Sequence, residues 1–119
     1  MSDKFLKVAT QEINDELAGI FEILGSCNDD EDVSKNSDAI ERHMHKIKGL
    51  APMMGKENVG LLAKSLDAIL KKLVSGEKVD GFFEPLSTPV SEMKTAMEKQ
   101  HDLSQVQKQI SDISSKIVD

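Results

Sequence analysis

The chain has 119 residues and a formal net charge of −6, and its only aromatic residues are four phenylalanines. An acidic chain with no basic stripe and no stacking aromatics is not built to neutralise phosphate backbones, so nucleic acid is not an expected partner. Its apolar runs fall well short of the about 20 residues a bilayer span needs, and no charged-then-apolar leader opens it, so neither a membrane segment nor a secretory signal is expected.

This length supports one continuous core, so a single domain over residues 1–119 is expected. With 39% apolar and 30% charged residues the composition is that of a soluble globular protein. The core must come from Leu, Ile, Val, Ala and six Met, and with Lys and Glu on the surface that palette favours helix over sheet. The single cysteine, Cys27, has no partner for an internal disulfide. This fits a cytoplasmic location and makes Cys27 an incidental loop residue. Met1 reads as a natural start, and a monomer is the default expectation.

Ser2 is placed to cap a helix from Asp3 to about Leu24, in which Phe5, Ala9, Ile13, Leu17, Ile20 and Leu24 form an apolar stripe. Glu12, Asp15, Glu16 and Glu22 fall on its surface, and Gly25 stops it. Residues 28–35 (NDDEDVSK) read as an acidic, mobile loop that lacks the glycine and alternating spacing of a calcium site. Asn36 or Ser37 caps a second helix that ends near Gly55, with Asp38 favourable in its first turn. Pro52 should bend this helix or end it early.

A third helix runs from Glu57 or Asn58 to about Val74. It carries the widest apolar stripe of the chain (Val59, Leu62, Ala63, Leu66, Ile69, Leu70, Leu73), has Lys71 and Lys72 in its last turn and stops at Gly76. Phe82, Leu86, Val90, Met93 and Met97 share one further stripe despite Pro85 and Pro89. Thr88-Pro89 reads as cap and first helical position, so a regular helix is expected over about 89–100, with one helical turn before it. Leu103, Val106, Ile110, Ile113 and Ile117 define a last helix over 103–118. The expected fold is all-α, an antiparallel up-and-down four-helix bundle with an additional C-terminal helix.

Within the second helix, Ile40, Met44, Ile47, Ala51 and Met54 lie close to one line facing the core, and His45 points about 140° away from it. An exposed imidazole with Lys48 at i+3 and Gly49 at i+4 suggests chemistry rather than packing. Near neutral pH an imidazole is a competent nucleophile if one nitrogen holds the proton and an acceptor orients it. Asp67, 22 residues downstream, falls at the edge of the third helix that faces its hairpin partner, although Asp has less reach than Glu or Gln. A phosphoryl group on His45 would need a cation, which Lys48 supplies from one turn away. Gly49 leaves room for an approaching partner. Arg42, Lys46, Lys48 and Lys56 make this helix locally basic.

The run His45-Lys46-Ile47-Lys48-Gly49 resembles the H-x-[LI]-K-G motif of histidine-containing phosphotransfer domains. The helix order along the whole chain is most similar to the domain of that family at the N-terminus of the chemotaxis histidine kinase CheA. The resemblance implies a four-helix bundle with an extra helix, phosphate carried on Nε2 of His45, and Lys48 helping to bind it. It further implies that Asp67 stands where the family has Glu or Gln bonding the imidazole, and that Gly49 admits a receiver domain. Expected partners are a histidine kinase and a response-regulator receiver domain. The chain would be a phosphocarrier and not a kinase, with no cofactor and no metal. Leu50 and Pro52 depart from the small residues that usually follow the family's glycine, and they change the surface a partner meets.

The alternative is a non-catalytic helical adaptor that binds a signalling partner through the same basic face. A metal-binding bundle is a weaker third possibility. His43 and His45 are only two apart and diverge by about 160°, so they cannot share an ion with Cys27. His43 is expected to be a partly buried packing residue and His101 an ordinary histidine near a helix end. Lys64 and Lys71 are expected to be solvated charges.

Overall fold

The structure, a computed structural model, describes residues 2–117. Six helices account for most of it: α1 (Asp3–Leu24), α2 (Asp30–Lys35), α3 (Ser37–Met53), α4 (Glu57–Val74), α5 (Phe83–Glu98) and α6 (Ser104–Ile117). The described residues contain no strand. Val118, the expected end of the last helix, lies outside the described residues, as does Met1.

α1 is the helix its sequence dictates. The Ser2 side chain accepts a hydrogen bond from the Phe5 amide, satisfying one of the free N–H groups of the first turn. Ala9, Ile13, Leu17, Ile20 and Leu24 are all buried along one face. Glu16 departs from expectation, because it is buried between α1 and α3 rather than on the surface.

The segment read as a mobile acidic loop is largely the short helix α2. Asp29 caps it through the Asp32 amide, and Val33 anchors it in the core. Six residues are too few to hold a helix in isolation, so the tertiary anchor decides. Cys27 is likewise not incidental: it is buried in the same apolar cluster, and burial pushes its thiol pKa up. Neither Asn36 nor Ser37 caps α3 through its side chain. Both turn back to α2, Asn36 Nδ2 donating to the Asp32 carbonyl and Ser37 Oγ to that of Ser34.

α3 passes through Pro52 and stops one residue later; the proline denies the Lys48 carbonyl its helical N–H partner in the last turn. The chain then reverses within three residues. Gly55, at φ 84°, and Lys56 donate their amides to the Pro52 and Ala51 carbonyls, the paired closure of a glycine-ended helix. α3 and α4 are therefore close neighbours, and their contact is the most extensive in the molecule. Gly60 of α4 makes room for it, since a Cβ there would meet Pro52 Cγ at 2.6 Å. α1 packs on α3 and on α5, and α6 packs mainly on α4.

α5 begins at Phe83, six residues before the regular helix expected from Thr88-Pro89. Pro85 falls in its first turn, where no backbone donor is required. The cap comes from elsewhere in the chain, as the Asp30 carboxylate accepts from the Gly81 and Phe83 amides at 2.8 and 2.7 Å. Phe82, Leu86, Val90, Met93 and Met97 are buried along the single stripe their spacing implied. The buried apolar residues of all six helices form one cluster, and none of the described helices is long and apolar enough to cross a membrane.

Candidate functional site

His45 lies on the outer side of α3 with its side chain 55% exposed. Its Nδ1 faces Asp67 Oδ2 of α4 at 3.3 Å, a long hydrogen bond consistent with the short reach of Asp. Nδ1 is thereby committed to the protein. Nε2 makes no hydrogen bond to protein among the described residues. The antiparallel α3–α4 hairpin sets this geometry, because the tight turn at Gly55 fixes which residues of the two helices face each other.

Asp67 is the organising group. Its side chain is only 2% exposed, and Oδ2 also accepts from Lys48 Nζ at 3.0 Å and pairs with Lys71 Nζ at 3.3 Å. Burial pushes the Asp67 carboxyl pKa up, but hydrogen bonds with Glu41, Lys48 and His45 outweigh it and hold the group below the usual aspartate range. Oδ1 is buried with no hydrogen-bond partner.

Glu41, one turn before His45, completes the cluster with Oε2 3.7 Å from Nδ1. Its pKa is raised, first by hydrogen bonding with Asp67 and then by burial.

Of the four residues singled out from the sequence, His45, Lys48 and Asp67 come together. Gly49 lies on the outer face of α3, with no atom within 4 Å of where a Cβ would stand. Two participants were missed. Lys71 was expected to be a solvated charge and is half of an i,i+4 pair with Asp67. Glu41 was given no part in the site, although its i,i+4 spacing to His45 is a readable signal. Glu41, Arg42, His45, Lys46 and Lys71 line a shallow hollow of about 420 Å³. A larger hollow of about 680 Å³, between α2 and residues 73–80, contains none of the expected site residues.

The other two histidines are engaged elsewhere. His43 is partly buried as expected, but it is also hydrogen-bonded: its Nδ1 lies 2.7 Å from Glu16 Oε1 of α1, and its ring rests against Gly19. Lys46 adds an ion pair, with Nζ 3.6 Å from Glu16 Oε2. His101 Nε2 bonds Glu92 at 3.1 Å next to the end of α5.

An exposed imidazole with a partnered Nδ1 and an unbonded Nε2 has the arrangement that a nucleophilic histidine requires. A buried carboxylate lies behind the ring, and two ammonium groups stand close to that carboxylate. Compared with protein-family models, with curated proteins and with solved structures, the chain matches none of them.

Proposed function

We propose that this chain is a histidine phosphocarrier of the histidine-containing phosphotransfer type, working in a two-component phosphorelay. The observation that carries the reading is the half-exposed His45 whose Nδ1 faces the buried Asp67 carboxylate. Nε2 attacks the phosphorus of a donor, and the P–N bond forms as the P–O bond breaks, its electron pair leaving with the donor oxygen. Nδ1 keeps its proton towards Asp67 throughout, so no base is needed. Reversal passes the phosphoryl group to an aspartate of a receiver domain, and the partners supply the metal ion and most of the catalysis.

In this reading α1, α3, α4 and α5 are the antiparallel four-helix bundle, α6 is the additional helix, and the chain works as a cytoplasmic monomer without a kinase activity of its own. Lys48 leaves Asp67 to meet the phosphate charge, and Gly49 admits the receiver. Incubation with a phosphorylated receiver domain or acetyl phosphate tests it. An acid-labile, base-stable phosphate is expected on the wild type and not on His45→Gln; equal labelling of both would contradict the reading.

The alternative, a non-catalytic adaptor, is favoured by Met53. It is 62% exposed and follows Arg42, Lys46 and Gly49 along the outer face of α3, where a large apolar side chain suits docking. Under that reading His45→Gln retains both partner binding and its signalling effect.

A further inference from the structure

The Nδ1 side of His45 has a second chemical capacity, independent of phosphate. Glu41 and His45 are one helical turn apart on α3, the i,i+4 spacing that lets two side chains of a helix hold one ion. Asp67 adds a third ligand from α4, and one donor atom from each of the three lies within 4.8 Å of the others. The two separations through Nδ1 are 3.3 Å to Asp67 and 3.7 Å to Glu41. A tetrahedral ion with bonds of about 2.0–2.2 Å needs ligands about 3.3–3.6 Å apart, so the two separations through Nδ1 are already close to coordination spacing.

The surroundings point the same way. Asp67 has a side chain only 2% exposed, yet its Oδ1 has no partner, so the buried carboxylate has unused acceptor capacity. One imidazole and two carboxylates suit Zn²⁺ rather than Mg²⁺ or Ca²⁺, which prefer oxygen alone. The exposed side of His45 leaves the fourth position to water. Lys48 and Lys71 compete, because their ammonium groups occupy Asp67 Oδ2. Both are flexible and partly exposed, and Lys71, at 53%, can withdraw into solvent.

We propose that Glu41, His45 through Nδ1, and Asp67 form a binding site for one Zn²⁺ ion, against which Lys71 acts as a built-in competitor. An ion on Nδ1 moves the ring proton to Nε2 and removes the nucleophile, so zinc loading and phosphoryl acceptance exclude each other. That consequence rests on the phosphocarrier reading; the binding site does not.

Calorimetric titration of the chain with ZnCl₂ tests the site, with the visible absorption of a Co²⁺-loaded sample reporting tetrahedral geometry. One equivalent is expected to bind. Glu41→Gln and His45→Gln should each weaken binding at least tenfold, while His43→Gln and His101→Gln should leave it unchanged. Lys71→Met should tighten binding several-fold, a gain that no folding defect can mimic. Absence of a one-equivalent site, binding that survives His45→Gln, or weakening on Lys71→Met each overturns the proposal.

Discussion

Replacing Asp67 by Asn removes the charge on which three cationic or polar groups converge while preserving the shape of the side chain. Oδ2 lies 3.0 Å from Lys48 Nζ, 3.3 Å from Lys71 Nζ and 3.3 Å from His45 Nδ1. A hydrogen bond to a charged group contributes about 1.5–3 kcal/mol when both partners are buried. Here the lysine side chains are 30% and 53% exposed, so they regain hydration and each pair is discounted to below about 1 kcal/mol. The substitution also relieves the cost of a buried carboxylate. The net expectation is a loss of about 1–2 kcal/mol, read as a urea midpoint lower by about 0.5–1 M at unchanged slope. A double-mutant cycle with Lys48→Met then isolates the pair, with an expected coupling of about 1 kcal/mol. An Asp67→Asn variant as stable as the wild type, or Lys48→Met costing the same in both backgrounds, would refute the view that Asp67 organises the site.

Other substitutions test the frame that holds the site. Gly19→Ala would place a Cβ 2.6–2.7 Å from the His43 ring and strain its bond to Glu16, so a loss of about 1–3 kcal/mol in urea unfolding is expected. Asp30→Ala removes the cap of α5 supplied across the fold and should cost about 0.5–2 kcal/mol, with amide exchange of Gly81 and Phe83 accelerating first. Acid should destabilise the fold through Glu16. Burial pushes its pKa up, but hydrogen bonds with His43 and Glu12 and the nearby Lys46 bring it below the ordinary 4.5. A carboxyl depressed in the native state stabilises it above the unfolded pKa, and that stability is lost as pH falls through the native value. Asp67 acts with the same sign. Glu41, raised, acts with the opposite sign and loses its contribution as pH rises through its native value. Urea midpoints measured downward from pH 4.5 should therefore fall less steeply in Glu16→Gln than in the wild type.

Much of this was legible in the sequence because helical periodicity is a local signal. The apolar stripes of α1, α3, α4 and α5 are buried where their spacing placed them, except that Phe5 is only partly buried. The pairing of His45 with Asp67 could be read because a short turn fixes the register of a hairpin. What escaped is non-local. α2 looked like a loop because acidic residues dominate it; the burial of Val33 and the turn-back bonds of Asn36 and Ser37, with the Asp29 cap, hold it as helix. The start of α5 escaped because its cap, Asp30, lies more than 50 positions away in the chain. Glu16 looked like one more surface acid, and its burial depends on His43 and Lys46 reaching it from another helix. Glu41 and Lys71 carried an i,i+4 signal that gains meaning only once Asp67 stands between the two helices.

Whether His45 takes phosphate on Nε2 while Asp67 holds Nδ1 is tested most directly by NMR of the ring nitrogens. The spectra are recorded on an isotope-labelled chain after phosphorylation by acetyl phosphate or a phosphorylated receiver. Phosphorus coupling at Nε2 of His45, with Nδ1 still protonated, is the expected result. Phosphate on Nδ1 of His45, on His43 or His101, or on no histidine would contradict the account.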